Sequence, residues 1–458
     1  MTRPETSMHV TGWRCAVCSA TVDIGTPFPW RCPNSTPVDR HHVLEIVSDG
    51  LGDDASWDHV DLSGVSPATD AHRHGDASTG ESSPDTNPYL TYDADFAWAA
   101  FAARSGLDRS ARTELVAELD DAVRSIAGVG FAPTPFGRSD SLSDSLGFVD
   151  GGGVWVKDET GGVGGSQKAR HLLTILLHLR AAELLGHLPS RPPLAIASCG
   201  NAALAAATLA RAADWPIDVY VPTWMSDGFG SELDRLGARV HRCERRASDP
   251  PGDPAMFRFR EAVAAGSIPF TVQGPENALA LDGGRTMGWE ICDQLAAQRV
   301  GSLDRIFIQV GGGAFASCLG AAMNQRCPTR IHAVQAEGCA PLARAWERAR
   351  DDTDAGIHDL GTRWSELMTP WDDPHSLADG ILDDETYDWL GVFEALEPWR
   401  TSPIVANEAD IVAAHELARG AGFDVSPTGS AGLAGLLGVI DAVQPTERVA
   451  VVMSGVAR

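Results

Sequence analysis

From Val154 to Gln335 short apolar runs of strand length alternate with longer helical runs, and this alternation constrains the chain more than any other feature. Residues 154–159 read as a strand ending in charge. A helix over 168–185 precedes a strand over 194–197, and a helix over 201–213 precedes a strand over 217–221. A helix over 231–236 leads to a strand over 239–242. One over 284–298 leads to 305–310, and one over 315–325 leads to 331–335. Such alternation predicts an α/β fold with parallel strands covered by helices. Sheets of this kind bind ligands where loops leave the carboxyl ends of strands, so the loops after strands carry the functional content.

Four of these loops stand out. Gly161-Gly162-Val163-Gly164-Gly165-Ser166-Gln167-Lys168-Ala169-Arg170 opens a helix, and its glycines let the backbone approach a ligand closely. A lysine held there can meet a carbonyl compound, and partial desolvation lowers its pKa enough for Schiff-base formation; the plain alternative is a solvated surface lysine. Ser198-Cys199-Gly200-Asn201 opens an Ala-rich helix whose free amides suit a carboxylate, with the Asn201 amide available to a ring oxygen. Gly311-Gly312-Gly313-Ala314 follows a buried strand and precedes a helix, so its amides can wrap a phosphate; the alternative is a tight strand–helix turn. The strand over 449–453 runs into Ser454-Gly455 close to the end of the sequence.

The first part of the chain is of another kind. Cys15-x2-Cys18-x13-Cys32 followed by His41 and His42 has the spacing of a zinc ribbon whose second half lacks its CxxC. The fourth ligand then falls to a histidine, His42 ahead of His41; the alternative is a former knuckle held by Trp13 and Trp30. The other cysteines are scattered through apolar segments and read as free buried thiols. Residues 49–88 are dense in Asp, Ser, Thr, Gly and Pro, the composition of a mobile linker, in which His59, His72 and His74 read as solvated. Amphipathic helices are predicted near 96–103 and over 110–126.

A net charge of -26, with no basic stripe, excludes a nucleic-acid surface. No apolar run is long enough to span a membrane, and residues 1–30 lack a signal-peptide core, which points to a cytoplasmic protein.

In their order, Ser-x-Lys-x-Arg, then Ser-x-Gly-Asn, then a glycine loop, then a terminal Ser-Gly, these motifs resemble the pyridoxal-phosphate enzymes of the tryptophan-synthase-β fold (fold type II), over about 134–458. The chain resembles threonine synthases in particular, through Thr134-Pro135, Gly283-Gly284-Arg285-Thr286 with Glu290, Val334-Gln335-Ala336-Glu337-Gly338 and Pro427-Thr428-Gly429-Ser430-Ala431. The resemblance implies two doubly wound parallel-sheet subdomains with pyridoxal 5'-phosphate between them, beside a small zinc-ribbon-like knuckle. The division it suggests is a knuckle at 1–48, a linker at 49–88, a helical lead-in at 89–133 and a catalytic body at 134–458, with a smaller subdomain inserted at about 166–283. It assigns Lys168 to the cofactor as an imine and Asn201 to the cofactor's 3-hydroxyl. Ser198, Cys199 and Gly200 fall to the substrate carboxylate, Gly311, Gly312, Gly313 and Ala314 to the phosphate, and Ser454 to the pyridine nitrogen. Cys15, Cys18, Cys32 and His42 fall to a structural zinc.

The implied activity is elimination or replacement on a small amino acid with a β or γ leaving group, as in threonine synthases acting on O-phosphohomoserine. The alternatives are a serine/threonine ammonia-lyase and, in another class, a non-catalytic binding or docking protein. A homodimer is what the family implies. Three departures stand against the pattern: Gln167 and Ala169 where threonine synthases have Phe and Asp, Cys199 for Ser or Thr, and Ala314 for a fourth glycine. A phosphorylated substrate also requires a second anion site, for which Arg138, Arg170 and Arg285 are candidates, each with a surface or structural role as its alternative.

Overall fold

The computed structural model describes residues 9–48, 87–149, 151–350 and 357–457. The expected linker at 49–88, with its three histidines, lies outside these except for Asn87 and Pro88.

Two sheets dominate. The larger runs, edge to edge, Ile404–Ala406, Arg330–Ala336, Arg305–Gln309, Arg448–Met453, Gly153–Asp158 and Phe136–Ser139. All neighbours are parallel except the last pair, where Phe136 faces Lys157 across an antiparallel edge. The central strands are apolar nearly throughout (Ile306 to Ile308, Val449 to Met453) because helices cover both faces. The smaller sheet is fully parallel, in the order Arg239–Cys243, Ile217–Pro222, Leu194–Ala197 and Ile268–Pro269. A third, antiparallel sheet of Thr21–Asp23, Val10–Cys15 and Leu44–Ser48 builds the N-terminal knuckle. Among the described residues no helix is long and apolar enough to cross a membrane.

The helix Lys168–Leu184 is buried along almost its whole length, and it packs on Leu279–Gly284, Asn201–Ala212 and Ala97–Arg104. The Gly283-Gly284 pair makes this possible, since a Cβ on Gly284 would strike the His171 ring and one on Gly283 would meet Thr174 Oγ1 at 2.8 Å. That motif is a packing contact against the first turns of the lysine-bearing helix.

Element boundaries differ from expectation where capping decides them. The helix expected over 231–236 is Asp227–Arg235, because the Ser226 hydroxyl accepts from the Phe229 amide and starts it earlier. The helix expected over 284–298 is two, Leu279–Gly284 and Thr286–Gln298, meeting at Arg285. Pro254–Ala264, opened by Asp253 and a proline in the first turn, was not anticipated. The reading of all scattered cysteines as free thiols is corrected: Cys292 and Cys327 form a disulfide. The packing of Thr286–Gln298 on Ala314–Arg326 brings their Cα atoms to 5.7 Å, a bridging separation that sequence distance does not reveal.

Candidate active site

The loop before Lys168 is tied down on two sides. Gly164 and Gly165 both take φ of +68°, a left-handed conformation that glycine adopts at no steric cost. The Gly165 carbonyl accepts from the amides of Gly455 and Val456, each at 3.1 Å. The Gln167 amide donates to Ser454 Oγ at 3.1 Å, and the Ser454 hydroxyl donates to the Gln167 side chain. On the other side Arg170 donates to Glu159 at 2.8 Å and to Glu290 at 2.6 Å, while Lys157 donates to Glu290 at 2.7 Å and to the Thr134 carbonyl at 2.9 Å. These two cations and two carboxylates are buried together and neutralise one another, with Lys157 0% exposed. Burial alone would push Glu290 up, but Arg170 and Lys157 outweigh it and hold its carboxyl below the usual range.

Lys168 is half-buried at the start of its helix. Desolvation lowers its pKa, opposed by the charges of Asp383 and Asp388 and by Cys318. The amine therefore sheds its proton more readily than a surface lysine does.

The strand Leu194–Ala197 delivers Ser198, Cys199 and Gly200 to the open end of Asn201–Ala212, a helix whose N-terminus has no side-chain cap. Its first amides are directed at whatever binds there. Burial, with Asp253, Asp383 and Asp379 nearby, pushes the Cys199 thiol up to about 12, so it is a neutral group. Asn201 lies against Gly455: a Cβ on Gly455 would come within 2.7 Å of the Asn201 amide nitrogen. The lysine loop, Asn201 and Ser454-Gly455 thus meet at one place.

The glycine loop follows Arg305–Gln309 and opens Ala314–Arg326, with Gly313 at φ +92°. Its open side is lined by the segment 381–388. The Gly312 carbonyl accepts from the Asp388 amide at 2.8 Å, a Cβ on Gly313 would meet Thr386 at 2.8 Å, and one on Gly311 would strike Asp383 Oδ2. The same carboxylate faces Gly312, where a Cβ would come to 3.5 Å from Asp383 Oδ2. Burial raises Asp383 to about 6 against the pull of Lys168, and raises Asp388 to about 8. Sequence reading missed both aspartates, because Asp379-Gly-Ile-Leu-Asp-Asp-Glu-Thr-Tyr-Asp388 has the composition of a solvated acidic turn.

Residues 129–455 match the family model described as pyridoxal-phosphate dependent enzyme. The chain belongs to this family. A threonine synthase of Methanosarcina acetivorans is 24% identical to this family member over 317 residues, 67% of this chain and 70% of that protein. The processed form of threonine deaminase isoform 2 from Solanum lycopersicum aligns with 77% of this chain and 91% of its own, at 19% identity and a TM-score of 0.57. Maize serine racemase aligns with 74% and 92%, at 16% identity and a TM-score of 0.54. Both structural likenesses bear on the fold alone, and the two-sheet α/β architecture is that of fold type II.

The family's cofactor can be set against this chain's residues. Lys168, Asn201, Ser454 and the open helix end lie where a ring with an aldehyde and its amino-acid partner could be held. At the phosphate end the glycine loop that would cradle the phosphate is present, and the Asp383 carboxylate lies against its Gly311. The three arginines considered for a second anion site are all engaged elsewhere. Arg138 pairs with Asp140 and the Gly152 carbonyl, Arg170 with Glu159 and Glu290, and Arg285 with Asp282 while stacking over Trp289.

In the knuckle, the ligand atoms of Cys15, Cys18, Cys32 and His42 all lie within 4.8 Å of one another, compatible with tetrahedral zinc at ~2.3 Å from each sulfur. His42 presents Nδ1 to Cys15 at 3.4 Å and its other nitrogen to Asp39 at 3.1 Å, the carboxylate support common for a ligating histidine. His41 turns away to stack on Trp364.

Proposed function

We propose that this family member catalyses elimination or replacement at the β or γ carbon of a small amino acid. The observation that carries the reading is the position of Lys168, on a buried helix, beside the Ser198–Asn201 turn and the Ser454-Gly455 turn. The family's cofactor supplies an electron sink for the carbanion formed at Cα. Lys168, its pKa lowered by burial, serves as the amine that takes up the Cα proton. Ser198, Cys199 and Gly200, at the uncapped helix end, would hold the substrate carboxylate through the Ser198 hydroxyl and the Cys199 amide, since the Ser198 amide donates to the Tyr220 carbonyl and the Gly200 amide to Ser198 Oγ. Asn201 would orient the ring oxygen. Ser454, a neutral hydroxyl shared with Gln167, would face the ring nitrogen, and the group held there would supply a weaker electron sink than one paired with a carboxylate, which suits loss of a leaving group better than transamination.

Between the two substrate readings, the engagement of Arg138, Arg170 and Arg285 in ion pairs supports an amino acid without a phosphate. A serine/threonine ammonia-lyase reaction, giving a 2-oxo acid and ammonia, is therefore placed ahead of threonine synthesis from O-phosphohomoserine. Adding threonine or serine alone should yield 2-oxobutanoate or pyruvate. Release of inorganic phosphate from O-phosphohomoserine with no oxo acid from threonine would reverse that order. No turnover of any amino acid, with cofactor bound, would point to the non-catalytic alternative.

The same reading keeps the division into a knuckle at 1–48, a lead-in at 89–133 and a catalytic body at 134–458, a cytoplasmic location and a homodimer. It gives Cys15, Cys18, Cys32 and His42 a structural zinc, for which metal analysis of the purified chain should find one equivalent.

A further inference from the structure

The glycine loop offers amides to an anion, and the chain itself supplies one. Asp383 projects from a segment whose backbone is fixed at several points. The Cys339 thiol donates to the Asp383 carbonyl at 3.2 Å, the Trp371 amide to the Asp384 carbonyl at 2.8 Å, and the Asp388 amide to Gly312 at 2.8 Å. Arg40 of the knuckle donates to both Glu385 oxygens at 2.6 Å, and His41 lies 3.4 Å from the same carboxylate. Against so anchored a backbone, the carboxylate of Asp383 can leave the loop only by rotating its own side chain. A phosphate seated on Gly311 to Gly313 would need the space beside Gly311 and Gly312 that this carboxylate now has. Two anions in contact repel strongly in a partly desolvated site.

We propose that Asp383 is a built-in competitor for the glycine loop, so that its carboxylate and the phosphate of a bound ligand exclude one another. Asp383 thereby determines specificity. Only an anion that makes more or stronger hydrogen bonds than one carboxylate, as a phosphate dianion does, displaces it, and ligands ending in a carboxylate or a neutral group do not. The proposal rests on the function proposed above, with the glycine loop as the phosphate site that the family resemblance implies.

The test compares the full chain with its Asp383→Asn variant for binding of pyridoxal 5'-phosphate and of pyridoxal, which lacks the phosphate, by equilibrium dialysis. The variant keeps the shape and loses the charge; Asp383→Ser serves the same comparison if the first misfolds. The phosphorylated ligand should bind the variant about tenfold tighter or more, while pyridoxal binds both proteins alike. Equal or weaker binding of the phosphorylated ligand to the variant overturns the proposal, as does an equal gain for both ligands, which would place the charge away from the phosphate. If borohydride traps the phosphorylated ligand on Lys168 in both proteins, either of those results leaves the proposed function standing. If neither protein retains the phosphorylated ligand, the reading of the loop falls and this proposal falls with it.

Discussion

Lys168 and Arg170 sit two residues apart and do opposite work. Arg170 is locked between Glu159 and Glu290 and fixes the loop; Lys168 has no such pair among the described residues, and desolvation leaves its amine prone to lose a proton. Replacing Arg170 with alanine leaves Glu159 and Glu290 buried with too little positive charge. It should cost about 3–5 kcal/mol of stability, read from the shift of the urea midpoint. A loss under about 1 kcal/mol would show that water reaches the cluster. Gly165→Ala should also destabilise, by about 1–3 kcal/mol, because its φ of +68° disfavours a side chain and the new methyl would meet Val456 at 2.8 Å. At this scale the sequence was legible where a residue type has few uses, as with Lys168 in a glycine-rich loop. It was silent on Asp383 and Asp388, whose desolvation comes from a segment folding back onto the glycine loop. Nothing in the local composition marks that contact.

At the scale of elements, the knuckle is more than an appendage. Arg31 pairs with Glu276, the His178 ring contacts the Pro27 carbonyl at 2.6 Å, and Arg40 grips Glu385 within the segment lining the glycine loop. Loosening the knuckle should therefore be felt at the active site. Treatment with a strong chelator, or Cys18→Ser, is expected to lower the melting temperature by several degrees. It should also raise hydrogen exchange in 379–388, measured by mass spectrometry. Unchanged exchange there would mean that the Arg40–Glu385 pair does not transmit the loss. The inner strands of the two sheets were readable because their apolar runs are continuous and Gly or Pro punctuates them, whereas the short edge strands Phe136–Ser139, Ile268–Pro269 and Ile404–Ala406 and the helices Glu408–Gly420 and Pro427–Gly438 were not read. Pro254–Ala264 was missed because its apolar positions are interrupted by arginines, and its start is set by a capping aspartate and a proline rather than by periodicity.

For the whole molecule, carboxyls raised by desolvation set the response to pH: Asp388 is buried, Asp383 and Asp384 half-buried. Asp383, Asp384 and Asp388 are raised by burial to about 6, about 7 and about 8, from an ordinary value of 3.8. The folded chain thus binds more protons than the unfolded one between those limits, and stability falls as pH rises through that window. Buried His171, His178 and His332, lowered to about 3, 4 and 4 from 6.5, act in the opposite sense below pH 6.5 and are spent above it. Without ligand, the melting temperature should fall between pH 6.5 and 8. Asp388→Asn should flatten that fall, whereas a fall of the same size in the variant would assign it to other groups.

Lys168 is the proposed point of covalent attachment for the family's cofactor. The purified chain is incubated with pyridoxal 5'-phosphate, reduced with borohydride, digested, and its peptides weighed by mass spectrometry. The prediction is one reduced pyridoxyl-phosphate adduct, on the peptide bearing Lys168 and absent from Lys168→Ala. An unmodified Lys168 with the adduct on Lys157 or nowhere would contradict it.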